Sequence, residues 1–297
     1  MPDNSVSRQL RIFGREFTVC GSGDYVQSIR DGRYWGDTFE IFQKVVKPDA
    51  VCLDVGANVG LTTLALASLA TQGRVFALEA DARTCRFLAQ NIRDNGLSNV
   101  TVEQCFMGLD GARKTFLFCP YDPARSPSMQ PKFLGKIPGA SERWDPVEVE
   151  CLSVDEFVSS HGLERLDFIK LDCEGADIEI LSSARQTLER FRPTVVLEFN
   201  SFCLTTFARA NPADAIEVVL ATFPYVWRIV RPRRTLRARA KSTADRILRK
   251  TTICSSIERV SDGYIFIHDH IVFRKGFDDL LCAFSDIEST AQLSFIG

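Results

Sequence analysis

The ten residues from Val51 to Gly60, VCLDVGANVG, leave the chain little choice of fold. An apolar run that ends on an acid and passes at once into a glycine turn reads as a buried strand delivering its carboxyl end to a loop. RVFALEAD, from Arg74 to Asp81, repeats the pattern, and Glu79 closes this second strand 25 positions after Asp54. A glycine turn after the first strand and an acid at the end of the second predict a nucleoside pocket.

The turn narrows the choice of nucleoside. Glycine stands at Gly56 and Gly60, but Asn58 and Leu61 occupy the positions where a dinucleotide fingerprint has its second and third glycines. A pyrophosphate needs bare backbone there and a free helix N-terminus, and Asn58 stands in its way. S-adenosylmethionine carries no phosphate. Its sulfonium, amino-acid tail and ribose diol suit Asp54, Gly56, Asn58, Gly60 and Glu79, with Glu79 holding the diol.

From Ala50 onward strand and helix patterns alternate, which predicts an α/β layer structure with a mainly parallel sheet. Strands are expected at Val51 to Asp54, Val75 to Glu79, Val100 to Cys105, Lys114 to Phe118, Val147 to Leu152, Phe168 to Asp172 and Thr194 to Phe199. Cys85, Leu88, Ala89 and Ile92 have helical spacing, and Asn95-Gly96 ends that helix. Ile180, Leu181, Ala184 and Leu188 mark another. Tyr264 to Ile267 and Ile271 to Phe273 read as a terminal hairpin closing the sheet. Residues 1–49 are expected to form an N-terminal cap segment over the ligand cleft, ahead of a domain spanning 50–297. Pro120 to Asp145, rich in Pro, Gly and Ser, reads as a long irregular loop.

A second constellation follows the run LDFIK. Asp172 and Glu174 sit at one strand end, and Glu198 with Asn200 closes VVLEFN. In open α/β sheets the ligand lies outside the carboxyl ends of the strands, so these side chains are expected beside the sulfonium. Neighbouring strands lie about 4.8 Å apart, close enough for Asp172 and Glu198 to share a proton or a metal. Methyl transfer to a hydroxyl is an in-line displacement that needs alignment and removal of a proton. Asp172 is the first candidate for base, Glu174 the second, and Glu198 completes the set. A divalent cation on Asp172, Glu198 and Asn200 is the alternative, and no metal is assigned. His268 and His270 have the spacing of one strand face but no third ligand, so a hydrogen-bonded role is expected. His161 marks a turn.

Ten cysteines are scattered without a CxxC pair, several at positions where Val or Ile would serve a strand. Buried free thiols and a reducing, cytoplasmic compartment are expected. MPDNSVSRQL shows no signal peptide, and no run of 18 apolar residues exists. The net charge of −2 gives no global attraction to polyanions. Locally, Arg228 to Lys250 carries ten Lys or Arg against the single acid Asp245. This basic insertion either docks an anionic polymer or membrane, or is a solvated helical face; it lacks the interleaved aromatics of a base-stacking platform.

LDVGANVGLTTLALA, RVFALEADARTCRFLAQNIRDNGLSNVTVEQCFMG, VECLSVDEFV, LDFIKLDCEGADIEILSSA and VVLEFN together resemble the FkbM family of S-adenosylmethionine-dependent methyltransferases. The resemblance spans about residues 50 to 200. It implies a Rossmann-like class I methyltransferase fold with a mainly parallel seven-stranded sheet and a C-terminal antiparallel hairpin. By position it places Asp54, Gly56, Asn58 and Gly60 around the methionine part, Glu79 at the ribose, Cys105 and Phe106 at the adenine, and Asp172 with Glu174 beside the reacting methyl. Ala80 and Cys105-Phe106-Met107 depart from the family pattern. The implied activity is O-methylation of a glycan or hydroxylated natural product. The alternatives are methylation of an anionic polymer such as RNA, docked by the basic segment, and a non-catalytic cofactor-binding scaffold.

Overall fold

The computed structural model describes residues 5–29, 36–109, 113–118, 145–230 and 256–287. Its centre is an eight-stranded sheet. Five parallel strands lie in the order β5 (Val100–Gln104), β4 (Arg74–Glu79), β3 (Val51–Val55), β9 (Phe168–Leu171) and β10 (Thr194–Asn200). Beyond β10 come β13 (Phe277–Ala283), antiparallel, then β11 (Tyr225–Val230) and β12 (Ser256–Arg259). The parallel strands reverse direction of travel between β3 and β9, and that switch point opens a crevice at their carboxyl ends.

Alternation along each strand builds a core on both faces. Cys52, Val75, Ala77, Phe168, Val196, Trp227 and Leu281 face one way. They meet Ile41 and Phe42 of α2 (Gly36–Val45), Leu64 of α3 (Leu61–Leu69), Leu88 and Ile92 of α4 (Ala82–Asp94), and Phe17 and Val19 of the hairpin β1 (Ser5–Ile12) and β2 (Arg15–Ser22). Leu53, Phe76, Leu78, Ile169, Leu171, Val195, Leu197 and Leu280 face the other way. There they meet Phe157 of α5 (Val154–Ser160), Ile180 of α6 (Asp177–Ser182), Leu188 of α7 (Arg185–Phe191) and Ile216 of α9 (Pro212–Thr222). Between β2 and α2 runs the short α1 (Gly23–Ser28), and after β10 the short α8 (Ser201–Cys203).

The hairpin is stitched to α4 by side-chain amides. Asn91 accepts from the Cys20 amide at 2.8 Å and donates to the Cys20 carbonyl at 2.8 Å, and Asn95 accepts from the Thr18 amide at 2.9 Å. Asn91 and Asn95 are a helical turn apart on one face, so they match the repeat of the strand lying against them.

Three expectations need correction. The segments at Lys114 and Val147 are strands, β7 (Arg113–Phe118) and β8 (Asp145–Leu152), but with β6 (Phe106–Met107) they form a separate three-stranded sheet. Residues Tyr264 to Phe273 are no hairpin but lie within α10 (Gly263–Arg274). Asp262 caps this helix by accepting from the Ile265 amide at 2.9 Å, and Lys275 and Gly276 end it with positive φ of 59° and 76°. The antiparallel closure of the sheet comes instead from β11, β12 and β13, so the main sheet has eight strands rather than seven. The expected loop from Pro120 and the basic segment from Arg231 lie outside the described residues.

Among the described residues no helix is long and apolar enough to cross a membrane. The eight cysteines described are all free, six of them buried. Burial pushes the Cys85 thiol up to about 11.

Candidate active site

The turn after β3 is held by a buried charge pair. Asp54 and Lys170 sit opposite each other on β3 and β9, both almost fully buried. Asp54 Oδ2 accepts from the Thr62 and Thr63 hydroxyls at 2.7 and 2.6 Å. Its Oδ1 lies 3.3 Å from Lys170 Nζ without an aligned hydrogen bond, a Coulombic contact. Lys170 Nζ donates to the Gly56 carbonyl at 2.7 Å and stands 3.7 Å from Asp172 Oδ2. One ammonium therefore joins the glycine turn to the first candidate base.

Gly56 takes a positive φ of 73°, and a Cβ there would lie 2.0 Å from the Asp172 carbonyl oxygen. Only glycine lets β3 and β9 end this close together. Gly60, at φ 98°, opens α3, and its added Cβ would meet Leu88 at 2.7 Å.

Glu79 ends β4 beside that turn. Its Oε2 accepts from the Asn58 amide at 2.8 Å and its Oε1 from the Asp81 amide at 2.9 Å. Each carboxylate oxygen can accept more than one hydrogen bond, so two backbone donors fix the group and leave acceptor capacity for a diol. Burial raises its pKa to about 7, against the opposing pull of the two amides. Cys105 and Phe106 follow β5; the Cys105 amide donates to the Glu79 carbonyl at 3.2 Å, and Phe106 is buried with Cys151 against Ala80 and Ala176. Sequence and structure thus bring Asp54, Gly56, Asn58, Gly60, Glu79, Cys105 and Phe106 to one region of the carboxyl edge.

The acidic half lies at the neighbouring strand ends. β9 and β10 are adjacent and parallel, with Leu171 opposite Leu197, so Asp172 and Glu198 follow side by side. Burial raises the Asp172 pKa while Lys170 pulls it down. Glu174 is held at φ 51°, an unusual conformation for a residue with a side chain, and accepts from the Cys203 thiol at 3.0 Å. Burial, then the nearby Asp172 charge, raise its pKa. Glu174 does not cap the following helix, and Asp177, the first residue of that helix, accepts from the Cys173 and Gly175 amides of the preceding turn at 2.9 and 3.1 Å. Burial lifts Asp177 to about 7. Glu198 Oε2 is buried without a hydrogen-bond partner, and burial followed by Asp172 and Glu174 pushes this carboxyl well above its ordinary range.

Asn200 is not free to act as a ligand, because its Oδ1 accepts from the Phe202 and Cys203 amides at 3.1 and 3.3 Å. His270 is buried, bonded through Nδ1 to Asp278 at 2.7 Å and through Nε2 to Ser201 at 2.8 Å. The row Ser201, His270, Asp278 has the outline of a nucleophile triad. The two amides after Ser201 are taken by Asn200, and the Ser201 amide donates to the Gly276 carbonyl at 2.8 Å. Without free donors for an oxyanion the row serves to anchor α10 to the lip of β10. Asp278 is also paired with buried Arg228, which removes the first residue of the basic segment from the solvent.

Lys170, Asp177 and Cys203 were not singled out from the sequence. Lys170 carried a signal: a lysine inside a strand-like apolar run needs a buried counter-charge.

A parallel sheet with an antiparallel end and a site at its carboxyl edge defines a Rossmann-like class I methyltransferase fold. Residues 54–225, more than half of the chain, match the methyltransferase FkbM domain, and the chain belongs to that family. It is 31% identical over 206 residues to the AMB antimetabolite synthetase AmbE of Pseudomonas aeruginosa, covering 59% of this chain and 9% of that protein. It is 26% identical over 159 residues to the 2-O-methyltransferase NoeI of Sinorhizobium fredii, covering 52% of this chain and 65% of the relative. The chain spans less than two-thirds of the length of the curated relatives it matches. Among solved structures, an O-methyltransferase from Bacillus cereus in complex with SAH aligns at 13% identity over 87% of this chain and 84% of that one, with a TM-score of 0.44. So loose a superposition decides nothing beyond what the strand order already does.

Proposed function

We propose that this chain is an S-adenosylmethionine-dependent O-methyltransferase acting on a hydroxyl of a glycan or hydroxylated natural product. The observation that carries the reading is Glu79, fixed by the Asn58 and Asp81 amides at the end of β4 with acceptor capacity to spare, beside a turn that only glycine at Gly56 permits. Glu79 would hold the ribose diol, Phe106 and Cys105 would wall the adenine, and the turn from Gly56 to Gly60 would take the amino-acid part. The donor supplies an electrophilic methyl on a sulfonium. The residues of this chain orient it, and Asp172 accepts the proton of the acceptor hydroxyl, with Glu174 and Glu198 maintaining negative potential around the cationic donor. The relative NoeI, a 2-O-methyltransferase, supports oxygen as the atom methylated.

Within the expected cap of residues 1–49, the described α2 fits that role. Thr38 of α2 donates to Asp279 at 3.1 Å, and Asp279 sits opposite Glu198 on β13, so the N-terminal segment reaches the acidic half. The test is calorimetric: saturable binding of S-adenosylmethionine by the intact chain, weakened in Glu79→Ala by about 1 to 3 kcal/mol for the lost charged hydrogen bonds. No binding by the intact chain would overturn the reading.

One observation favours a polymeric anionic acceptor. β11 runs parallel to β10, and its end Val230 pairs with Ser256, so the basic segment leaves and rejoins the sheet at the carboxyl edge. Polyanion binding that falls steeply with salt would support that acceptor class, and deletion of Arg231 to Lys241 should abolish it.

A further inference from the structure

We propose that Glu174, Glu198 and Cys203 form a site for one divalent cation of the zinc class at the acceptor side of the carboxyl edge. The three residues come from three elements, the turn after β9, the end of β10 and α8, yet each offers a ligand atom within 4.8 Å of the other two. This differs from the trio expected from the sequence. Asn200 is committed to two backbone amides, whereas Cys203, three residues further on, points its thiol at Glu174.

The independent observation is Glu198. A carboxylate oxygen buried with no hydrogen-bond partner is costly, and a native fold tolerates it where a missing partner is supplied. Among the described residues no cation fills that role: Lys170 reaches Asp54 and Asp172, and the Cys203 proton goes to Glu174. A metal ion would meet Glu198, replace the thiol proton and bridge the three groups at once. In that exchange the Sγ–H bond breaks, its proton passes to solvent, and an Sγ–metal bond forms.

Donor chemistry selects the cation. Magnesium and calcium take all-oxygen sets, so a thiolate among the ligands argues against them. Zinc accepts Cys and Glu together, at about 2.3 Å to sulfur and about 2.0 to 2.2 Å to oxygen. Ligands around a tetrahedral ion of that size stand roughly 3.6 Å apart, so Cys203 Sγ and Glu174 Oε2, 3.0 Å apart, would open slightly, while separations that approach 4.8 Å would close by about 1 Å. Three protein ligands leave a fourth position for an oxygen, which is the composition of a catalytic rather than a structural zinc site. An acceptor hydroxyl bound there would lose its proton more readily. The site does not depend on the identity of the methyl donor.

The full chain, stripped with chelator and kept reduced, can be titrated with Co²⁺ alone as the spectroscopic probe. One equivalent should produce visible bands and a near-ultraviolet thiolate-to-cobalt band, displaced by one equivalent of Zn²⁺ and unaffected by excess Mg²⁺. Cys203→Ser should remove the near-ultraviolet band, and Glu198→Gln should weaken Co²⁺ binding by about tenfold or more. Absence of the band in the parent, its survival in Cys203→Ser, or unchanged affinity in Glu198→Gln would each overturn the proposal. Both substitutions keep side-chain size; if one variant misfolds by circular dichroism, the other decides. Calorimetry of S-adenosylmethionine on the metal-free chain is read separately, so either reading can fail alone.

Discussion

Replacing Lys170 by methionine probes the link between the glycine turn and the acidic half. Methionine keeps an unbranched stem but removes the ammonium that faces Asp54 at 3.3 Å and Asp172 at 3.7 Å and donates to the Gly56 carbonyl at 2.7 Å. Breaking a buried ion pair by deleting one partner costs about 3 to 5 kcal/mol, because the other charge stays buried. A chain of 297 residues unfolds with an entropy of about 0.6 kcal/mol/K, from about 2 cal/mol/K per residue, so the melting midpoint should fall by about 5 to 8 °C. The assay is thermal denaturation by circular dichroism near neutral pH. Adding Asp54→Asn should recover part of the loss, since the orphaned charge is then gone, and this non-additivity isolates the pair. A fall of less than about 2 °C, or a double variant no better than the sum of the single ones, would refute the view that this pair organises the site. The same change bears on chemistry. Lys170 holds the Asp172 pKa down, so its removal should move the base limb of the pH–rate profile to higher pH.

Glu79, at about 7 because of burial, should be mostly protonated at pH 6 and mostly ionised at pH 8; ribose donors favour the ionised form, so affinity for S-adenosylmethionine should rise about tenfold across that window, and calorimetry of Glu79→Gln should show a flat profile. Asp172→Asn should retain donor affinity while turnover falls by about 10² or more, read by methyl incorporation; unchanged turnover would remove Asp172 from the base role. His270→Ala leaves Asp278 and Ser201 without a shared partner and should lower stability by about 1 to 3 kcal/mol without altering donor affinity, checked by melting and calorimetry on the same preparation.

The parts of the fold visible in the sequence are those where local pattern and burial agree. β3, β4, β9 and β10 are apolar on both faces because the sheet is covered on both, and their carboxyl ends carry polar residues because that edge is open. Strand partnership is not local. Nothing in the periodicity of residues 113–118 and 145–152 tells whether they join the main sheet or leave it, and they leave it. In YIFIHDHIVF the β-branched and aromatic content favours a strand, but the Asp262 cap, the Gly276 exit and the burial of Phe266 and His270 one turn apart select a helix. Lys170 was hidden by its neighbours: set in LDFIK, it reads as the edge of an apolar run until Asp54 is seen across the register. Cys203 was hidden among ten scattered cysteines, since only the turn of α8 brings its thiol to Glu174.

The acidic half gathers Asp172, Glu174, Asp177, Glu198 and Asp279, with Lys170 the cation paired to it at Asp172 among the described ion pairs. Asp177 spends its oxygens on two backbone amides, Asp279 takes the Thr38 hydroxyl, and Asp172 shares Lys170 with Asp54. Among the described residues Glu174 accepts from a thiol, and the buried Oε2 of Glu198 has no hydrogen-bond partner. Burial pushes the Asp172, Glu174 and Glu198 carboxyls upward together, so a bound cation competes with protons there. A divalent cation on Glu174, Glu198 and Cys203 would displace protons there, and should therefore bind more tightly as pH rises. Glu79 contributes a separate proton on the nucleoside side, held by different amides. Proton release measured for donor and for metal should accordingly respond to different substitutions, Glu79→Gln for the first and Glu198→Gln for the second, which separates the two occupants of one continuous edge.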